Sequence, residues 1–415
     1  MTDAITNDEL IEQFNAAFGH SNEVLHHFYA PGRVNLIGEY TDFNGGLVLP
    51  CGIERGIHLL VRHGAGGSGN QQRGNQQHGN QRAGSRKSQS HAAFVSANLP
   101  QRATVNLAEP LVRTGNQWTN YPLGVFQEFI NLECPLQDMQ LYYHGDVPDG
   151  AGLSSSAAIE VVTACALNTL YSMNLSTTEL ALLSQRAENN FIGVQCGIMD
   201  QFAVANAMAD RAMALDCNTL DCEQVPLKSD DYRILISNTG QRRELAGGAY
   251  NERVRECNQA LELLKPVTGA NQLADISPQV LHDNINLLPD PLIRKRASHV
   301  IEEHYRVMLA TDMLKNNDLA GFGRLMVDSH QSLKDNFNVS STPLDTMVEL
   351  TLQVQGVLGS RMTGAGFGGC TVTLLHKDAI DELIETITPA YTNAINLAPE
   401  FYSTRAAAGV REIIA

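Results

Sequence analysis

The sequence predicts an α+β fold in two domains, and three observations carry that prediction. At 415 residues the chain exceeds what one hydrophobic core usually organises. Its first half mixes short strand-like segments with helices, and its second half is dominated by long helical periods. Between the halves, over Cys217–Lys228, the periodicity weakens and Pro226 interrupts it. That places the boundary there, with residues 1–225 and 226–415 as the two domains.

Along the chain, an amphipathic helix over Asp8–Phe18 comes first. Strands are expected at Phe28–Ala30, Arg33–Ile37, Leu47–Leu49 and Ile57–Val61, with Asn44-Gly45-Gly46 as a turn between two of them. Gly64–His91 then breaks the pattern. It holds no apolar residue larger than Ala, a quasi-repeat of Gly-Asn-Gln over Gly69–Ala83, and four positive charges without an acid. Such a segment buries too little surface to offset its ordering entropy, so it reads as a disordered insertion in a surface hairpin. An anion-binding arm is the functional alternative. Ala92–Val95 resumes a strand, and Met139–Tyr143 is another. Asn120–Asn131, Ala157–Leu170 and Thr177–Phe191 read as helices, the last opening on a Thr cap and Glu179. The second half starts with a strand at Tyr232–Ser237. Helices follow at Tyr250–Leu264, Leu292–Lys315, Leu319–Lys334 and Leu344–Val354, and a strand at Cys370–Leu375.

Composition narrows the class of function. Hydrophobic content of 43% and charged content of 18% are those of a globular protein. A formal net charge of −16 disfavours nucleic acid or an anionic membrane as the main partner. No apolar run reaches the ~18 residues that span a bilayer. The polar, acidic start Met1-Thr2-Asp3-Ala4 does not resemble a secretory signal. The eight cysteines show no CxxC pair and no metal-ligand spacing, and several lie in apolar runs. A soluble, cytoplasmic chain is therefore expected.

Four segments carry chemistry. Pro148–Glu160 joins a strand to a helix through two glycines and three serines. Glycines admit backbone amides to an anion, and a helix N-terminus offers unpaired N–H groups at the positive end of its dipole. No Lys follows the second glycine, so this is a phosphate cradle unlike the common P-loop; serines before a helix also serve as plain caps. Gly32–Gly46 crowds Arg33, Glu39, Tyr40, Asp42 and Asn44 into a strand and its exit. Paired carboxylates and a phenol suit a polyhydroxylated ligand, because a carboxylate accepts from vicinal hydroxyls. Gly193–Phe202 sets Asp200 among apolar neighbours, where a carboxylate is costly unless it is paired or used. Gly364–Gly369 spells GxGxxG between a helical segment and a strand, which is the wrong context for a dinucleotide fingerprint. A close backbone approach to a ligand or another loop fits better.

Together, and in this order, the four segments resemble the galactokinases of the GHMP kinase superfamily over nearly the whole chain outside Gly64–His91. The resemblance implies the two-domain α+β GHMP kinase fold with the active site in the interdomain cleft. It implies ATP and Mg²⁺, a galactose substrate phosphorylated at its C1 hydroxyl, and a monomer. Residue by residue, Asp200 would be the base and Arg33 would stabilise the transition state. Glu39, Tyr40, Thr41, Asp42 and Tyr250 would contact the sugar. Gly150, Ala151, Gly152, Leu153, Ser154, Ser155 and Ser156 would form the triphosphate loop, with Ser156 and Glu188 as Mg²⁺ ligands. The family signature usually has His where this chain has Tyr40, and often Tyr where it has Phe43. A kinase for another small alcohol and a non-catalytic sugar sensor are the rival readings. The intact Gly32–Gly46 signature opposes the first, and the intact Ser154–Ala158 stretch opposes the second.

Overall fold

The computed structural model describes residues 5–64, 90–115, 117–147, 152–227, 230–241 and 246–414. Among these, three sheets carry the architecture. The largest has six strands in the order Arg411–Glu412, His26–Asn35, Pro50–His63, Met139–Gly145, His91–Ser96 and Arg102–Asn106. All neighbours in it are antiparallel except His91–Ser96 beside Met139–Gly145. One face presents Phe28, Leu59, Phe94 and Leu141 to a core shared with the helices Gln117–Asn131 and Ser155–Leu170. The second helix buries residues all round, among them Ala158, Val161, Val162, Ala164 and Leu167. A helix that is apolar on every side has to run through the interior. Its N-terminus follows Ser154, whose hydroxyl bonds Asp200.

A second, antiparallel sheet runs Val357–Thr363, Cys370–His376, Tyr232–Asn238, Glu400–Thr404. A third joins Leu47–Val48 to the hairpin Arg211–Asp216 and Cys222–Pro226. One apolar cluster bridges the halves, placing Val34, Leu36 and Ile37 with Ile236, Phe322, Met326 and Val372. The last strand returns to the first sheet, pairing Phe28 with Glu412, so the end of the chain crosses back over the 225/226 division.

Several local expectations are corrected. Phe28–Ala30 and Arg33–Ile37 form one strand, His26–Asn35, with a bulge between Pro31 and Arg33. Thr177 does not cap its helix. Ser176 does, in a reciprocal capping box with Glu179, and the helix ends at Arg186 before a π-helical turn over Ala187–Ile192. The glycines at 364–369 follow a strand, Val357–Thr363, and not a helix. They therefore connect two antiparallel strands, which excludes the dinucleotide motif for a different reason. The strands either side of the insertion do not form a hairpin, because Met139–Gly145 lies between them.

Of the Gly64–His91 insertion, residues 65–89 lie outside the described residues, and its flanks are placed. Gly64 N donates to Asp138 O at 2.8 Å, and His91 N donates to the Asp138 carboxylate at 2.5 Å. One residue thus fastens both ends, and loop length between fixed ends costs little. Deleting Gly69–Ala83 is expected to leave turnover unchanged and the melting temperature within about 2 °C. A larger loss of either in a thermal melt or an activity assay would show that the segment docks on the body.

Candidate active site

A cavity of about 350 Å³ opens between the first sheet and the second-half helices, lined by Arg33, Glu39, Asp42, Glu188, Asp200 and Tyr250 among others. The bulge in His26–Asn35 brings Arg33 to its floor. A Cβ on Gly32 would lie 2.8 Å from Leu153 O, so only glycine lets the strand approach the loop after residue 151. Arg33 N donates to that same carbonyl at 3.1 Å, and its Nη1 donates to Gly152 O at 2.8 Å. Arg33 Nε and Nη2 meet Asp200 Oδ1 at 2.8 and 2.6 Å. Ser154 Oγ donates to the other oxygen, Oδ2, at 2.7 Å. Ser154 has φ +60 and makes no capping bond, so the plain-cap reading fails: its hydroxyl goes to Asp200. Two donors on Oδ1 and one on Oδ2 leave Oδ2 a lone pair, and Asp200 lines the cavity. Asp200 sits in the first turn of Met199–Asn206, where the helix dipole favours negative charge.

The signature loop forms the opposite wall. Gly38, at φ +100, donates its N–H to Glu303 Oε1 at 2.9 Å and turns the chain into Glu39. Tyr40 takes φ +68, unusual for a non-glycine residue, and is 3% exposed. Its hydroxyl donates to Ala365 O at 2.5 Å, and its ring packs on Phe337 at 4.7 Å and Tyr250 at 5.5 Å. Thr41 is buried, with its hydroxyl against the carbonyls of Gly38 and Leu47, so it holds the turn and does not line the cavity. Asp42 reaches over Gly197, where a Cβ would lie 1.9 Å from Asp42 Oδ2. Burial, then the charges of Asp200 and Glu39, push the Asp42 carboxyl up to about 7. Burial and Asp42 likewise raise the phenol of Tyr250 well above its usual value.

At the nucleotide side, the π-helical turn carries Glu188. Such turns re-aim side chains and are frequent at functional sites. Gln201 Nε2 donates to Glu188 Oε2 at 2.6 Å and to Glu160 Oε2 at 3.2 Å. Burial and Asp200 push Glu188 up to about 7, while burial and Glu188 raise the Glu160 carboxyl well above its usual value. Ser155 and Ser156 begin the helix Ser155–Leu170 and are half-buried. Gly150 and Ala151 lie outside the described residues.

Residues 12–63 match the galactokinase galactose-binding signature, 120–207 the GHMP kinases N-terminal domain, and 310–393 the GHMP kinases C-terminal domain. A galactokinase of Clostridium beijerinckii is 39% identical over 389 residues, covering 93% of this chain and 94% of that protein. The chain belongs to the galactokinase family. A galactokinase of Bacillus subtilis is 36% identical over 98% of this chain and 99% of its own. The structure of Lactococcus lactis galactokinase complexed with galactose superposes with a TM-score of 0.89 at 33% identity, covering 98% and 99% of the two chains. A mevalonate kinase from Methanococcus jannaschii, at TM-score 0.60 and 18% identity, shares the fold.

In this galactokinase-family chain the structure brings Arg33, Glu39, Asp42, Glu188, Asp200 and Tyr250 to one cavity. Sequence reasoning singled out Gly364–Gly369 for a close backbone approach but gave no role to Gly197, Gln201, Arg361 or Thr363. Gly197 lay in a quoted motif, and its small size next to Asp200 was the available signal. Gln201 and Arg361 gave none, because their partners are 41 and 322 residues away in Glu160 and Glu39.

Proposed function

We propose that this kinase transfers the γ-phosphoryl group of ATP to the C1 hydroxyl of α-D-galactose, giving α-D-galactose 1-phosphate. The observation that carries the reading is the Arg33–Asp200–Ser154 constellation at the floor of a cavity whose wall is the signature loop. The hydroxyl proton goes to the free lone pair of Asp200 Oδ2. The hydroxyl oxygen then attacks in line, and the Arg33 guanidinium, already against Oδ1, offsets charge developing on the transferred group. Glu39 and Asp42 receive sugar hydroxyls, and Tyr40 and Tyr250 bound the sugar, with Phe43 packed behind the Tyr250 ring. Thr41 supports them by fixing the turn. Gly152–Ser156 and the helix N-terminus would receive the phosphates, in the loop that also contains Gly150 and Ala151 in sequence. We expect a monomer, working in the cytoplasm, where its eight unpaired thiols would stay reduced.

The residues fit a Mg²⁺ ion bound with the nucleotide. Glu160 Oε1 and Gln201 Oε1 are buried without hydrogen-bond partners beside Glu188, and burial among like charges raises both carboxyls. That is a set of hard oxygen donors short of positive charge. Ser156 and Glu188 would hold the ion, which when bound neutralises charge on the phosphate oxygens. No helix among the described residues is long and apolar enough to cross a membrane.

The test is a coupled ADP-release assay with galactose, 2-deoxygalactose, galactosamine, glucose and mevalonate. Galactose-dependent ADP release supports the proposal, and release with another acceptor alone would refute it.

Two expectations arise at the sugar wall. Asp42 accepts from sugar hydroxyls as a carboxylate, and its free-enzyme value is about 7. kcat/KM for galactose is therefore expected to fall as pH drops below about 7, since that parameter reports free-enzyme ionisations. Asp42→Asn should remove the Asp42 share of the inflexion and leave that of Glu188, also pushed up to about 7; an unchanged profile would mean that Asp42 does not contribute. Tyr40→His shortens the side chain and removes the bond to Ala365 O. It is expected to change KM for galactose, or the ratio between galactose and its analogues, with KM for ATP kept within about threefold. Steady-state kinetics with each substrate varied distinguishes this from an effect on the nucleotide side.

A further inference from the structure

The strand end Arg361–Thr363 and the glycines after it have no role in the chemistry above, yet they contact Glu39 directly. Glu39 Oε1 accepts from Gly364 N at 2.7 Å and Thr363 Oγ1 at 3.2 Å, with Arg361 Nη1 at 3.6 Å. Arg361 Nη1 also donates to Asn35 O at 3.0 Å, and Thr363 Oγ1 lies 3.1 Å from the same carbonyl. The backbone carbonyl of Glu39 is held from the same half of the chain, by His299 Nε2 at 3.1 Å. All three side-chain contacts fall on one oxygen. Among the described residues Oε2 makes no hydrogen bond, and Glu39 lines the cavity.

We propose that Arg361, Thr363 and the Gly364 amide are positioning residues for galactose recognition: they saturate Glu39 Oε1 from the second half of the chain, so that Oε2 is presented to a sugar hydroxyl in one orientation. Arg361 supplies the charge. It is fully buried, and its Nε and Nη2 have no hydrogen-bond partner. A buried guanidinium left that incompletely bonded is costly to keep for packing alone, whereas a fixed cation beside a ligand-binding carboxylate is useful. Gly364 has φ +76, and a Cβ on Gly366 would lie 2.1 Å from Val339 O. The glycines thus seat the loop so that its first amide points at Glu39. The motif is a cradle for a protein carboxylate, not for a nucleotide. A second-half segment thereby sets the geometry of a first-half sugar contact.

The inference rests on galactose being the substrate. Galactose-dependent ADP release by the unaltered protein checks that first, and its absence would overturn the reading and this inference together. Given that activity, Thr363→Val removes one hydroxyl at constant shape, Arg361→Met removes the charge, and Arg361→Lys retains it. The expected results are a rise in KM for galactose of about fivefold in Thr363→Val and at least about tenfold in Arg361→Met, with partial recovery in Arg361→Lys. KM for ATP should stay within about twofold in all three, and discrimination against glucose should narrow. A merely structural role predicts the reverse pattern: lower melting temperature and lower kcat with both KM values moved alike. That pattern, or a galactose KM in Thr363→Val within twofold of the unaltered protein, would overturn the proposal. Should Arg361→Met fail to fold, the conservative Thr363→Val and Arg361→Lys variants decide it.

Discussion

Asp200→Asn is expected to lower kcat by about 10²–10⁴-fold, the usual contribution of a positioned general base. The amide keeps the size of the carboxylate; its oxygen can still accept from Arg33 while its NH2 donates to the Ser154 hydroxyl, but it cannot take up the hydroxyl proton. Because Arg33 is also bonded to Gly152 O and through its backbone to Leu153 O, the floor of the cavity should keep its shape. Galactose binding measured by calorimetry should therefore change little, while single-turnover phosphoryl transfer collapses. Equal loss in kcat and kcat/KM would identify an interaction made only in the transition state. Turnover near that of the unaltered protein would remove Asp200 from the mechanism, leaving Arg33 and the nucleotide side to account for the rate.

Glu303→Ala is expected to be the most destabilising single change near the site, by about 3–5 kcal/mol. Glu303 is fully buried in the helix Pro291–Lys315. It accepts from Gly38 N and from Ser329 Oγ at 2.5 Å, and it pairs with Arg306 Nε at 2.7 Å. Truncation leaves an N–H, a hydroxyl and part of a guanidinium unpaired in the interior. Burial by itself would raise the Glu303 carboxyl, but Arg306, His299 and Arg361 outweigh it and hold it down at about 2. A carboxyl whose folded value is depressed stabilises the protein above its unfolded value of about 4.5, and that stability is lost as pH falls toward 2. The difference in melting temperature between the two proteins should thus be full at pH 6 and shrink steadily below pH 4.5. A constant difference across that range would mean that lost packing, and not lost charge, sets the cost. Gly38 is also the hinge into Glu39, so KM for galactose should rise with the instability.

Much of this molecule was readable before any coordinates. The apolar run after Ser154 could only be an interior helix, and the loop ahead of it combined glycines and serines as phosphate binding requires. Arg33, Glu39 and Asp42 stood within ten residues of one another, which marked that segment as rich in ligand-binding groups. The four motifs, in order, indicated the family, and the comparisons agree.

Long-range pairing lay beyond the sequence. Whether the insertion spans a hairpin or a crossover depends on which strand occupies the gap, and Met139–Gly145, nearly fifty residues on, takes it. The bulge at Gly32 exists because Leu153 O lies against it, and the π-helical turn that aims Glu188 is set by tertiary contact, since helical periodicity continues through it. The helical reading before Gly364 failed because Val357–Thr363 is a strand held by Cys370–His376, and local patterning is overridden by such pairing. Residue types and short spacings determined which chemistry the chain could hold: a base, an arginine, sugar-facing carboxylates and a phosphate loop. Only the tertiary structure decided where Ser154 spends its proton, which oxygen of Glu39 is free, and that Arg361 stands behind it. Those are contacts between residues 46 to more than 300 positions apart, and no local period encodes them.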